Sequence, residues 1–177
     1  MSSKRWVVVT MNTVGCRPWG GVPVEATAAL MVGSKQTETI HSIIQAPCKI
    51  DSLNPSQHAA VNYALHRSGA VWSTDSNIPT KFDFMQSVIS RFGGADINYI
   101  VTKGSCQRKI VENFLELCNL VIPVFDAQSM GMPRFENYAI ESGVFCSEHE
   151  SGPLQISQYC TFYRTKQVID YCVKFCE

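Results

Sequence analysis

Three consecutive strand patterns at the start of the chain limit the folds that it can adopt. Residues 5–12, 23–32 and 38–45 are rich in β-branched or alternating apolar residues, which is typical of strands that pack on a core. Gly33-Ser34-Lys35 separates the second stretch from the third, and residues 15–21 form a predicted loop after the first. We therefore expect successive antiparallel strands joined by turns.

The remainder of the chain alternates between helical and strand patterns. Helices are predicted from Pro55 to about His66, over residues 79–92, over 107–118 and over 161–176, with strands over 97–102 and 120–125. A strand, a helix and a second strand in this order imply parallel pairing, with the helix packed on a face of the sheet. The sequence therefore predicts an α/β fold with a mixed sheet and flanking helices.

Length and composition favour one folded domain over residues 1–177. Hydrophobic residues make up 45% of the chain and charged residues 17%, which excludes the disordered and coiled-coil classes. Fifteen basic residues balance fifteen acidic residues. A strongly electrostatic nucleic-acid binder is therefore not indicated, although a local basic face is still allowed.

The eight cysteines and the start of the chain indicate a reducing compartment. The first residues lack the long apolar core of a signal peptide, and no apolar run reaches the roughly 20 residues that span a bilayer. We therefore expect an intracellular protein of the cytoplasm or nucleus, without a membrane partner. In that environment cysteines are buried thiols or metal ligands rather than disulfides.

Cys146, His149 and Cys160 form a candidate metal-binding pattern. Two residues separate Cys146 from His149, and Ser151-Gly152-Pro153 indicates a turn that brings the chain back towards Cys160. Thiolate sulfur and imidazole nitrogen both suit tetrahedral Zn²⁺. The spacing leaves two alternatives open, a zinc site with a fourth ligand from elsewhere in the chain, or two buried thiols and an unrelated surface histidine.

A second candidate site lies where the predicted strand over 97–102 leads into a helix. Lys103, Arg108 and Lys109 surround Gly104-Ser105, and the free N–H groups and the dipole of a helix start favour a phosphate. These three basic residues are therefore candidates for contact with a nucleic-acid backbone. A solvated helix start without a ligand is the alternative.

The order of elements and several residues resemble the Maelstrom domain, which has an RNase H-like fold related to the DEDD exonucleases. The residues that carry the resemblance are Pro23-Val24-Glu25, His41 to Pro47, Ile100 to Gly104, Cys146-x-x-His149 and Cys160. Maelstrom domains bind zinc through a Glu-Cys-His-Cys set. The resemblance therefore implies a structural zinc site made of Glu25, Cys146, His149 and Cys160.

The resemblance also bears on catalysis. DEDD exonucleases carry Asp-x-Glu on the first strand to hold two metal ions, whereas this chain has Val9-Thr10-Met11-Asn12 there. Maelstrom domains lack that carboxylate set as well. Asp75, Asp83 and Asp126 are the other carboxylates that a rearranged site could recruit. No catalytic residue is therefore predicted, and whether the protein is an enzyme stays open.

The implied function is binding of single-stranded RNA in small-RNA silencing or transposon control, with protein partners of a silencing pathway. Metal-independent cleavage of single-stranded RNA, and thus a ribonuclease activity, is a further implied possibility. One alternative is a non-enzymatic scaffold for protein interactions. Another is an exonuclease-like protein encoded by a virus or a mobile element.

Overall fold

A five-stranded mixed sheet forms the centre of the molecule in the computed structural model, which describes residues 3–16, 20–75, 80–135, 149 and 159–175. The strands are β1 (Arg5–Cys16), β2 (Gly20–Val32), β3 (Lys35–Ile43), β4 (Tyr99–Thr102) and β5 (Val124–Asp126). Their order across the sheet is β3-β2-β1-β4-β5. Strands β1, β2 and β3 pair antiparallel, whereas β4 is parallel to β1 and β5 is parallel to β4. The predicted fold class is confirmed.

Four α-helices lie within the described residues. They are α1 (Pro55–Ser68), α2 (Lys81–Phe92), α3 (Ser105–Leu117) and α4 (Thr161–Phe175). The side chain of Asn54 accepts a hydrogen bond from the backbone N–H of Gln57, and the side chain of Gln57 accepts one from the backbone N–H of Asn54. Helix α1 therefore begins with a complete capping box. None of these helices is long and apolar enough to cross a membrane.

The two faces of the sheet carry different helices. Helices α2 and α3 cover one face through a core that includes Val7, Val9, Phe84 and Phe114. Helix α4 covers the other face through Val8, Val168 and further apolar side chains. Because side chains alternate between the faces of a strand, Thr10 and Asn12 on β1 lie on the same face as Val8, the face that α4 covers.

The first hairpin is longer than the sequence patterns predict. Residues 15–21 are a predicted loop, but β1 continues to Cys16 and β2 begins at Gly20, with Gly15 opposite Gly21. Val14 and Val22 are buried in a cluster that packs against Val61 of α1. Burial of these valines stabilises the extended pairing, and it outweighs the local tendency of glycine to form a turn.

The last strand is shorter than predicted, because the predicted strand over 120–125 includes a proline. Pro123 has no N–H to donate, although its carbonyl accepts a hydrogen bond of 2.9 Å from the N–H of Ile100. Strand β5 therefore begins at Val124.

Helix α3 also differs from the prediction, because it begins at Ser105, two residues earlier than the predicted start at Gln107.

Candidate metal centre

Glu25 is a fully buried carboxylate on β2, with 0% of its surface exposed. Its Oε2 accepts a hydrogen bond of 3.0 Å from Asn12 Nδ2 of β1. Its Oε1 accepts hydrogen bonds from the backbone N–H and the hydroxyl of Thr161, at 3.2 and 2.8 Å, and lies 3.0 Å from His41 Nε2 of β3. The carboxylate therefore joins three strands to the start of α4.

His149 lies beside this carboxylate with only 1% of its surface exposed. Its Nε2 is 3.0 Å from the carbonyl oxygen of Ser68, the last residue of α1. Because a carbonyl can only accept, Nε2 carries a hydrogen and donates it. Nδ1 lies 4.0 Å from Glu25 Oε1, so it is the ring nitrogen that a metal ion beside Glu25 would bind.

Cys160 completes a group of three buried donors. One ligand atom each from Glu25, His149 and Cys160 lies within 4.8 Å of the others. Oxygen, nitrogen and sulfur donors of these types form tetrahedral zinc sites. A histidine ligand in such sites donates its second ring N–H to a backbone carbonyl or carboxylate, as His149 does to Ser68. The three residues therefore fit a zinc ion.

The pKa values of Glu25 and His149 move in opposite directions. Burial raises the pKa of Glu25, but hydrogen bonds from His41 and Thr161, with the nearby imidazoles, outweigh burial and lower the pKa below 4.5. Burial lowers the pKa of His149, but hydrogen bonds to Cys160 and the Ser68 carbonyl, with the charge of Glu25, raise it to about 9. A cation bound between these groups would replace the proton that His149 otherwise holds.

Threonine hydroxyls connect the neighbouring part of the sheet to α4. Thr10 Oγ1 donates a hydrogen bond of 2.9 Å to the carbonyl oxygen of Thr161. The hydroxyl groups of Thr10 and Thr165 share a second hydrogen bond of 2.6 Å. Thr27 and Thr161 share a hydroxyl hydrogen bond of 2.8 Å. These hydroxyl groups therefore join β1 and β2 to the first turn of α4, next to the Glu25 carboxylate.

The remaining predicted site residues are Cys146 and three basic residues. Cys146, the predicted fourth zinc ligand, lies outside the described residues. Lys103 is buried, 6% exposed, and its Nζ donates to Gln128 Oε1 at 3.3 Å. Arg108 is exposed and pairs with Glu112 at 2.6 Å, and Lys109 is exposed on the same helix. The basic residues at the start of α3 therefore have different environments, with Lys103 turned inward.

Sequence patterns do not identify four residues that support the metal centre. They are Asn12, His41, Ser68 and Thr161, which bond directly to Glu25 or His149. The alternation of residues on β2 and β3 is a partial signal, because it places His41 on the same sheet face as Glu25 once the register is known.

The strand order, the parallel pairing and the helices on both faces define an RNase H-like fold. The chain is similar to the zinc-ion-bound form of a complex of Escherichia coli exonuclease I with single-stranded DNA, with 11% identity and a TM-score of 0.53 over 97% of this chain and 43% of the exonuclease. The same enzyme with a dA16 oligonucleotide has 10% identity and a TM-score of 0.55 over 98% of this chain and 44% of the exonuclease. Exonuclease I from Methylocaldum szegediense has 9% identity and a TM-score of 0.54 over 97% of this chain and 43% of the exonuclease.

The chain thus spans less than half the length of these exonuclease structures. At this identity the similarity establishes the fold and not the activity. No protein-family model and no curated protein sequence matches the chain.

Proposed function

We propose that the protein binds single-stranded RNA through an RNase H-like domain in which a zinc ion has a structural role. The observation that carries this proposal is the convergence of Glu25, His149 and Cys160 within 4.8 Å. These are three of the four ligand positions that the resemblance to the Maelstrom domain implies, and RNA is the partner that it implies. The exonuclease I structures with single-stranded DNA support nucleic-acid binding by this fold.

The burial of the three ligands favours a structural rather than a hydrolytic metal. Glu25 and Cys160 are 0% exposed and His149 is 1% exposed. A catalytic zinc ion keeps one coordination position open for water or substrate, whereas a structural zinc ion has four protein ligands. Cys146 would supply the fourth ligand in this proposal. The ion would then fasten β2 to the residues that precede α4.

The carboxylates of the described residues argue against hydrolysis by two metal ions. Strand β1 contains no Asp or Glu. Asp126 accepts hydrogen bonds from the backbone N–H groups of Gly104 and Gln128 and from the Ser129 hydroxyl, so it stabilises the turn after β5. Asp83 bonds to Thr80 at the start of α2, and Asp75 lies in an exposed bend. These three carboxylates therefore do not form a shared metal site.

Binding and cleavage assays on the zinc-loaded protein test the proposal. We expect labelled single-stranded RNA to bind in fluorescence anisotropy, and any cleavage to persist in EDTA at concentrations too low to strip the structural zinc. Cleavage that needs added Mg²⁺ would instead indicate an exonuclease with a rearranged carboxylate site. Failure to bind RNA would contradict the proposal and favour a scaffold for protein interactions.

The proposed cellular role is small-RNA silencing or transposon control inside the cell, in the cytoplasm or nucleus. This role follows from the resemblance alone. It can be tested by crosslinking the protein to RNA in cells and sequencing the recovered fragments. Enrichment of small-RNA precursors or transposon transcripts is the expected result, and recovery of bulk RNA without such enrichment would contradict it.

A further inference from the structure

A row of alternating cations and aromatic rings crosses the surface near α4. Its members, in spatial order, are Lys103, Phe135, Arg164, Tyr159 and Arg67. Lys103 Nζ is 4.8 Å and Arg164 Cζ is 4.5 Å from the centroid of the Phe135 ring. Arg164 Cζ is also 4.6 Å, and Arg67 Cζ 5.6 Å, from the centroid of the Tyr159 ring. We call these five residues the cation–aromatic row.

Regular elements hold this row in place. Arg67 is in the last turn of α1, Lys103 follows β4, and Arg164 is in the first turn of α4, where its backbone N–H donates to the carbonyl of Cys160 at 2.9 Å. The carbonyl of Tyr159 accepts a hydrogen bond of 2.5 Å from Asn12 Nδ2 of β1. The backbone positions of Arg67, Arg164 and Tyr159 are therefore set before any ligand binds, which reduces the entropic cost of binding.

Exposure changes along the row. Lys103 is buried, Phe135, Arg164 and Tyr159 are partly exposed, and Arg67 is exposed. A guanidinium group that stacks on a ring uses its face for that contact, and its N–H donors lie in the plane of the group at its edge. Stacked arginines thus combine a ring contact with donors suited to phosphate.

The composition of the row matches one class of ligand. Single-stranded nucleic acids bind where aromatic side chains stack on bases and basic side chains contact the phosphates between them. The row holds three cations on two shared rings, in a chain whose basic and acidic residues are equal in number. Arg164 is partly exposed and Arg67 is exposed, so their positive charges can attract a polyanion that lies along this surface.

We propose that the cation–aromatic row is the track on which a single-stranded polynucleotide lies. The exposed parts of the Phe135 and Tyr159 rings contact bases, and Arg164 and Arg67 contact phosphates. The inference rests on the proposed function, and it adds the binding surface, which differs from the exposed basic side chains of α3. Bases and phosphates are common to RNA and DNA, so both polymers fit this chemistry.

The test uses zinc-loaded protein and labelled oligouridine and oligothymidine of about 12 nucleotides, a length within the usual site size of single-strand-binding domains. Arg67→Ala removes the exposed cation. Arg91→Ala is its matched control, because Arg91 also lies in the last turn of a helix. Arg91 pairs with Glu38, and its helix, α2, covers the face of the sheet opposite to α4. Tyr159→Leu removes a ring, and Tyr159→Phe keeps it.

The expected result is a loss of affinity of roughly tenfold for Tyr159→Leu, as for loss of one stacking platform, with Tyr159→Phe close to the parent. Arg67→Ala should reduce the slope of log affinity against log salt by about 0.7, the value for one phosphate contact on a single strand, and Arg91→Ala should not. Loss of affinity for one polymer identifies that polymer as the ligand. Loss of affinity for both polymers indicates recognition of the bases and phosphates that they share.

Two results would overturn the inference, and they can be told apart. If the parent binds but Tyr159→Leu and Arg67→Ala bind equally well with the parental salt slope, the track is wrong while the proposed function stands. If the parent binds neither polymer, both are wrong. Circular dichroism and thermal melts verify folding. Should Tyr159→Leu not fold, Arg67→Ala decides, because its side chain is exposed.

Discussion

At the scale of single residues, the Glu25 carboxylate has an unusual environment, because it is ionised yet fully buried. Three hydrogen-bond donors and a nearby imidazole surround it, and they lower its pKa although burial opposes ionisation. Truncation of the Glu25 side chain would remove the acceptor that these donors share. We therefore regard Glu25 as the group around which the metal centre is organised.

A pH-dependent loss of stability should distinguish the metal-free from the zinc-loaded protein. The folded metal-free protein holds the His149 proton more tightly than the unfolded chain, because the pKa is about 9 in place of 6.5. The resulting stabilisation is complete below pH 6.5 and is lost as the pH rises through 9. We expect the Tm of the metal-free protein to fall across this range, as measured by thermal melts.

Zinc and a variant provide the controls for this measurement. Zinc requires a neutral imidazole, so the Tm of the zinc-loaded protein should not fall over this pH range. The affinity of the protein for zinc should increase with pH. His149→Gln in the metal-free protein should flatten the fall, whereas Glu25 titrates at lower pH and does not contribute. Identical pH dependence in the parent and in His149→Gln would contradict the assignment.

At the scale of elements, the attachment of α4 to the sheet is polar at its first turn and apolar further along. Thr161 and Thr165 bond to Glu25, Thr10 and Thr27, while Val168, Ile169 and Cys172 pack in the core. Because the candidate ligand Cys160 directly precedes α4, a bound metal ion would hold the polar end of the helix. We therefore expect the first turn of α4 to respond most to loss of the metal.

Hydrogen exchange should detect this dependence. After chelation of zinc, the backbone amides in the first turn of α4 should exchange faster, because the segment that precedes them loses its attachment. Helix α2 is the control, because its buried residues pack on the opposite face of the sheet. Equal changes in α2 and α4, or no change in either, would contradict a local structural role for the metal.

The start of α3 is the second place where a nucleic-acid backbone is predicted to bind. In the Arg108→Ala, Lys109→Ala variant we expect the slope of log affinity for single-stranded RNA against log salt to fall by about 1.4, or 0.7 for each phosphate contact. The prediction includes Lys103, whose buried side chain also belongs to the cation–aromatic row, so adding Lys103→Ala should lower affinity further.

A matched variant tests whether that effect is local. Lys35→Ala and Lys49→Ala remove two exposed lysines from other elements, and they should leave the slope at the parental value. Fluorescence anisotropy across a salt series makes the comparison. A slope of the α3 variant that equals that of the parent would mean that Arg108 and Lys109 do not contact RNA.

Local patterns predict the elements well, because helix periodicity and strand alternation depend on neighbours in the sequence. The helix predicted over residues 79–92 is an example, since α2 ends where Gly93 takes the αL conformation, with φ of 99°. Contacts set by register are different. The contact between His41 and Glu25 depends on how β2 pairs with β3, and the bond between Ser68 and His149 joins residues 81 positions apart.

At the scale of the whole molecule, the candidate metal centre joins segments that are distant in sequence. Glu25 is in the second strand, Ser68 ends α1, and Cys160 precedes α4. A metal ion at their junction couples binding to folding, because the unfolded chain does not hold the ligands together. Loss of zinc should therefore lower the Tm, by roughly 2–4 °C for each kcal/mol of lost binding energy in a chain of this length.

The metal content of the purified protein tests the central claim most directly. Elemental analysis should find about one zinc ion per chain, as expected for one tetrahedral site. The Cys146→Ser, Cys160→Ser variant should lose it, and Cys172→Ser, which changes another buried thiol of the same region, should keep it. Parent protein without stoichiometric zinc, or unchanged zinc content in the double variant, would contradict the account.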